Sequence, residues 1–157
     1  MNDFILRPAE EKDLPDIVRI FTEDELGATR EILSDPVLPS YQTAFQSIKE
    51  DKNQSLLVVE YEQKVIGTCQ LTFMSSLSFK GSWRLNLENV HVDKKFQGQG
   101  VGTWMLQKAI DLGKKKGCKI IQLTTNKKRS RAKVFYERLG FTPTHEGMKL
   151  YLGEDKT

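Results

Sequence analysis

Val90-His91-Val92-Asp93-Lys94-Lys95-Phe96-Gln97-Gly98-Gln99-Gly100-Val101-Gly102-Thr103 decides the fold. Three glycines at alternate positions lead into a segment, Val101–Lys116, that reads as a helix. Its Val101, Met105, Leu106, Ala109, Ile110 and Leu112 recur at helical spacing and form a wide apolar stripe. Lys114, Lys115 and Lys116 crowd the last turn, where cations favour the negative end of the helix dipole, and Gly117 follows as a stop. Glycines let the backbone approach a ligand closely. A helix start offers unpaired N–H groups and the positive end of a dipole, so the turn is suited to an anion, most naturally a phosphate. A P-loop is excluded, because no lysine follows the glycines. A dinucleotide fingerprint fails by spacing: its third glycine falls on Thr103 or Met105.

Upstream, Ser82–Val92 reads as a long strand with an anomaly. Trp83, Leu85 and Leu87 are apolar at odd positions, whereas Val90 and Val92 are apolar at even ones. A strand changes faces only by gaining a residue, so the pattern predicts a β-bulge near Glu88–Asn89. The alternative is one strand ending at Leu87 and a second beginning. Further strands are expected at Phe4–Arg7, Leu56–Tyr61, Val65–Phe73, Lys119–Thr124 (buried on both faces) and around Met148, Leu150 and Leu152. Val65, Gly67, Cys69, Leu71 and Phe73 are expected on one side of theirs. Helices are expected from an N-cap at Asp13 to about Thr22, over Tyr41–Lys49 with Ala44, Phe45 and Ile48 on one face, and over Arg129–Leu139. Glu23–Pro39 reads as a long irregular stretch and a candidate acceptor-side wall, Leu77–Gly81 as a loop, and Gly153–Thr157 as a frayed tail. The sum is a single mixed α/β domain over residues 1–157.

Composition narrows the class. The chain has 157 residues, 38% apolar and 29% charged, an ordinary globular balance for one domain. A net charge of +3 is too small to argue for nucleic acid. Cys69 and Cys118 make no disulfide framework, and His91 and His145 lack metal-ligand spacing, so no metal is expected. The N-terminus has no apolar signal region and no run could span a membrane, so the expected location is cytoplasmic.

Gln97-x-x-Gly100-x-Gly102, five residues after Val92, resembles the acetyl-CoA motif of the GNAT superfamily of N-acetyltransferases. Ala132 followed by Phe135-Tyr136-Glu137-Arg138-Leu139-Gly140-Phe141 is similar to the family's second conserved segment, and the element order matches over nearly the whole chain. The resemblance implies a GNAT fold: a mixed central sheet with a splayed, bulged middle strand and flanking helices. It implies acetyl-CoA as co-substrate, its pantetheine arm beside Val90, His91 and Val92, and its pyrophosphate on the turn from Gln97 through Gly98, Gln99, Gly100, Val101 and Gly102 to Thr103. Asn126, Arg129 and Ala132 complete the implied cofactor set. Arg129 stands where many relatives carry an asparagine, with Asn126 three residues too early. Five cations in 127–133 fall on the cofactor side by fold.

The chemistry the resemblance implies is transfer of an acetyl group to a primary amine by direct attack. Val92 N–H is then the oxyanion donor, Tyr136 the acid for the leaving thiolate and Glu88 the base, with His91 as a second candidate base. Tyr136 is alternatively a core aromatic, and Glu88 a strand carboxylate paired with Arg84. A non-catalytic acetyl-CoA sensor or interaction module on the same fold is the competing function, and a homodimer is left open.

Overall fold

The computed structural model describes residues 3–153. The chain order is β1 (Ile5–Pro8), α1 (Leu14–Phe21), α2 (Glu25–Arg30), α3 (Pro39–Glu50), β2 (Gln54–Tyr61), β3 (Lys64–Met74), a single turn α4 (Ser78–Gly81), β4 (Arg84–Val92), α5 (Val101–Lys116), β5 (Ile120–Leu123) and α6 (Ser130–Arg138). The strands form one sheet in the order β1-β2-β3-β4-β5. The first four are antiparallel, and β5 joins β4 in parallel. That direction follows from the connection: α5 crosses over between β4 and β5 and returns the chain to the same end.

The main core lies between the sheet and α5. Val101, Met105, Leu106 and Ala109 are fully buried against Leu57, Val59, Leu71, Leu85 and Leu87, and α6 adds Phe135 and Tyr136. Each large side chain buried there contributes about 1.5–3 kcal/mol, so the few of them outweigh the roughly 1 kcal/mol that a glycine costs inside a helix. Gly113 is such a glycine, and its cause is contact: a Cβ there would stand 3.0 Å from Leu85 Cδ2. On the other face α1 and α3 cover Val58, Val65 and Leu56.

The bulge predicted from the parity of β4 is present. β4 runs unbroken through it, Thr68 pairs His91 and Gln70 pairs Glu88, and Asn89 takes a left-handed φ of 51°. A second bulge was not foreseen. The register of β2 and β3 shifts so that Val59 meets Gly67 while Glu60 meets Val65. Val65 therefore faces α1, not the side of Cys69 and Leu71.

Other expectations are corrected. Asp13 occupies the N-cap position of α1, but its carboxylate serves Arg7 and the Glu10 N–H instead. The stretch expected to be irregular contains α2, capped by Asp24, which accepts from Gly27 N–H at 2.6 Å. Ala44 and Leu112 are exposed, because the helix faces turn about Phe45 and Gly113. β5 is only partly buried, since it is the outer strand of the sheet. No strand forms around Met148, Leu150 and Leu152. The expected frayed tail falls, beyond Gly153, outside the described residues.

Candidate active site

The sheet opens where its middle strand bends. Pairing of β4 with β5 runs from Arg84↔Ile120 to Leu87↔Leu123 and stops. From Glu88 onward β4 has a ladder partner only on its β3 side. Asp93 donates its N–H to Ile66 O at 2.8 Å, toward β3. Backbone groups alternate along a strand, so those of Val92 turn toward the gap. Val92 O accepts from Gln97 Nε2 at 3.0 Å, while its N–H points into the opening.

A groove of about 500 Å³ lies along this edge. Val90, His91, Val92, Lys94 and Gln97 form one wall, and residues 128–132 at the start of α6 form the other. Ile20, Glu23 and Asp24 close the rim. Lys94, Lys128, Arg129 and Arg131 place four cations around it, a field suited to a polyanion. The remaining cations of the 127–133 run turn away: Lys127 meets Glu146 and Lys133 meets Glu137.

The glycine turn divides its work. Gly98 and Gly100 take left-handed φ values of 76° and 84°. Gly100 begins α5 with no side-chain cap, so N–H groups of the first turn stay available. Gly102 serves packing, because a Cβ there would come 3.2 Å from Phe135 Cζ. Val101 is buried in the core and faces the turn by its backbone alone, whereas Thr103 is exposed. Gln99 Nε2 braces the turn through Lys95 O at 3.1 Å. The turn is anchored from α1, where Arg19 contacts both Glu23 and Asp93. Glu23 accepts from Lys94 N and Asp93 from Lys95 N.

Two of the expected cofactor residues behave differently. Asn126 is spent on its own loop, where Oδ1 accepts from Lys128 N at 2.9 Å. Arg129 reaches across the groove, with Nη2 2.5 Å from Asp24 Oδ2 in a close charge contact that lacks hydrogen-bond alignment. Its Nε is buried without a hydrogen-bond acceptor among the described residues. Such donors are costly to leave unmet, so the groove is prepared for an acceptor at this point. Sequence reading passed over Asp24. Its signal was local: an aspartate placed to cap a short helix within a stretch read as irregular.

The candidate acid and base stand on opposite sides of the sheet. Tyr136 packs into the main core with Cys69, Leu87, Val90 and Val92, and its ring touches Phe135 and Phe141. Burial raises the pKa of its phenol, against a lowering by Arg129, so the hydroxyl keeps its proton at neutral pH. Glu88 pairs with Gln70, which pairs with Leu56, a residue of the α1 and α3 face. It is exposed and accepts from Asn86 Nδ2 at 2.7 Å. The alternative reading, a pair with Arg84, does not form among the described residues: Arg84 bonds Ser78 and lies over the Phe79 ring. His91 packs on Phe21 with ring centroids 5.0 Å apart. Burial, reinforced by Arg129, pushes its pKa down to about 4 against the pull of Asp24. A ring of such low basicity is a poor proton acceptor.

With this geometry in place, comparison with known proteins decides the class. The model of the acetyltransferase (GNAT) family matches residues 15–141. The chain belongs to the GNAT family. A Bacillus halodurans C-125 crystal structure, described as a transcriptional regulator, shares 41% identity and a TM-score of 0.93, covering 95% of this GNAT chain and 99% of its own. An uncharacterised N-acetyltransferase of Methanocaldococcus jannaschii is 29% identical over 62% of this chain and 43% of its own. A glucosamine 6-phosphate N-acetyltransferase of Trypanosoma brucei brucei is 27% identical over 57% of this chain and 58% of its own. The chain thus spans about half the length of the curated relatives it matches. Among the described residues of this GNAT domain, no helix is long and apolar enough to cross a membrane and no group of side chains could hold a metal ion.

Proposed function

We propose that this domain transfers the acetyl group of acetyl-CoA directly to a primary amine. The observation that carries the reading is the gap in the sheet after Leu87 and Leu123, walled by the open edge of β4 and overlooked by the uncapped start of α5. The Val90–Val92 edge would bond the pantetheine arm as an added strand, and Arg129 Nε would donate to one of its carbonyls in place of the family asparagine. Backbone N–H groups of the glycine turn, with Lys94, Lys128 and Arg131, would hold the phosphates.

An alkylamine of pKa ~10.4 must shed a proton at pH 7, a cost of roughly 4–5 kcal/mol. Glu88, on the open face, takes that proton through water. Val92 N–H receives the charge that develops on the thioester oxygen as the new C–N bond forms. Tyr136, below the gap, gives its proton to the sulfur as the C–S bond breaks. Placing the two proton carriers on opposite faces lets acceptor and thioester enter from opposite sides.

A release assay for free thiol, run with acetyl-CoA and a panel of amino sugars, amino-acid amides, polyamines and peptides, tests the proposal. The expected result is amine-dependent thiol release with a monoacetylated product by mass spectrometry. The Glu88→Gln variant should lower thiol release at neutral pH about 10²-fold or more while CoA affinity stays near that of the parent. A second reading is a non-catalytic acetyl-CoA sensor, considered because the Bacillus halodurans relative is described as a transcriptional regulator. Tight CoA binding with no acetylated product from any amine would select it.

A further inference from the structure

β4 enters the sheet at the end opposite the groove. There the connection from β3 to β4 meets the last turn of α5 and the start of β5. Lys119 N donates to Trp83 O at 3.0 Å, and Lys116 Nζ lies 4.9 Å from the centre of the Trp83 ring. Residues 74–84 and 112–120 carry Lys80, Arg84, Lys114, Lys115, Lys116 and Lys119, and no aspartate or glutamate. The five lysines are exposed, and none of these cations is in an ion pair among the described residues. Arg7, Arg19 and Arg129, elsewhere in the domain, all meet carboxylates.

The same end exposes apolar surface. Leu77 is 99% exposed and Phe79 64%. Phe79 and Lys80 hold left-handed φ values of 53° and 60°, a conformation that is costly for a bulky side chain. Backbone strain that leaves an aromatic ring in water points to a role outside the fold. Arg84 lies over that ring, 5.2 Å from its centre, so cation and apolar tip form one surface. Next to Lys115 and Lys116 a hollow of about 270 Å³ opens between β2, β3 and α5, walled by Leu71, Phe73 and Leu112.

We propose that this end of the domain docks on the surface of an anionic phospholipid bilayer, with Leu77 and Phe79 entering the interface and the surrounding cations facing the phosphates. A cluster of unpaired cations without an acid attracts a polyanion. Nucleic acid would answer the charge and leave Leu77 in water, because a phosphate backbone offers nothing to an aliphatic side chain. An acidic protein would need a pocket matched to Leu77 and Phe79. A bilayer supplies phosphates and methylenes side by side with no matched shape. Charge and apolar insertion are also the two signals that together hold a peripheral protein, each being weak alone. The groove lies at the far end of β4, beyond Glu88, so the docking is independent of the catalytic reading.

Co-sedimentation with vesicles tests the proposal. The full chain should pellet with vesicles of equal parts phosphatidylcholine and phosphatidylglycerol, stay in solution with phosphatidylcholine alone, and be released by salt. Leu77→Asp with Phe79→Asp should weaken binding about tenfold or more. Aspartate tolerates a left-handed φ, so the circular dichroism spectrum should not change. Lys114→Glu with Lys115→Glu should weaken binding at least as much. Lys64→Glu with Lys127→Glu removes equal charge away from this end and should leave binding near that of the parent. Absence of binding to anionic vesicles at low salt overturns the proposal. So does binding that either docking variant keeps, or that the Lys64 and Lys127 changes abolish. Duplex DNA bound more tightly than vesicles, and equally well without Leu77 and Phe79, would assign the surface to nucleic acid and overturn it too.

Discussion

Between β1 and β3 the strands are paired along their lengths, whereas β4 and β5 part company after four residue pairs. The closed half also satisfies its charges. Arg7 grips Asp13 through two hydrogen bonds of 2.7 and 2.9 Å and reaches Glu60 with a third of 2.7 Å. The open half keeps donors in reserve: Arg129 Nε and the first N–H groups of α5 lack protein acceptors, and Asn89 holds a left-handed backbone. Such costs are not confined to the open half, since Arg84 Nε is also unpartnered and Glu62, Gln63, Phe79 and Lys80 also hold left-handed φ, but at the groove a ligand can answer them. The comparison teaches that stability and chemistry are divided across one sheet, and each side can be broken separately.

The largest expected effect falls in the open half. Tyr136→Phe removes a proton donor while keeping the ring, so turnover should drop about 10²–10⁴-fold with CoA affinity by calorimetry nearly unchanged. Equal loss of affinity would make Tyr136 a packing residue. In the closed sheet core, Leu71→Ala should cost roughly 2–5 kcal/mol in urea unfolding, because Leu71 is fully buried. Its CoA affinity in the folded state should be close to that of the parent, and a large drop would show that the two halves are coupled. Arg129→Ala should weaken CoA binding about tenfold, and Arg129→Asn should recover most of it. If both bind like the parent, the reserve donors have another use.

The remaining effect is a difference in acid response. His91 titrates near 6.5 when unfolded and at about 4 when folded. Between those values the unfolded chain binds more protons, so stability falls as pH drops through that window, by at most about 1.4 kcal/mol per pH unit. Asp13 behaves differently. Burial raises its pKa, but Arg7 and the Glu10 N–H outweigh this and hold it below the ordinary 3.8. Its stabilisation is present above that value and is lost only as pH falls through the lower folded one. Thermal melts from pH 7 to 3 should therefore show the His91 loss first, with His91→Gln flattening the upper window alone. A flat wild-type profile from 6.5 to 4 would place His91 in water.

Much of the open half was legible in the sequence. The parity change between Leu87 and Val90 is a local signal, and the bulge appears there; the helix over Val101–Lys116 and its glycine stop follow from spacing and composition alone. The second bulge at Ile66 was hidden, because both faces of that segment are apolar and no parity change marked it. Leu112 and Gly113 exchanged roles for a related reason: a wide stripe fixes a helix face only to within a residue, and the position of Leu85 settled it.

What the sequence determined by itself is what depends on near neighbours: periodicity, capping, the glycine turn and the motif order that marks the family. What only the tertiary structure decided is which distant groups meet. The contact of Arg129 with Asp24, the retirement of Asn126 into its loop and the separation of Tyr136 from Glu88 by the sheet all arise this way. None of these has a local energetic signature, since a long charged side chain or a carboxylate on a strand is equally compatible with many partners until packing brings one within reach.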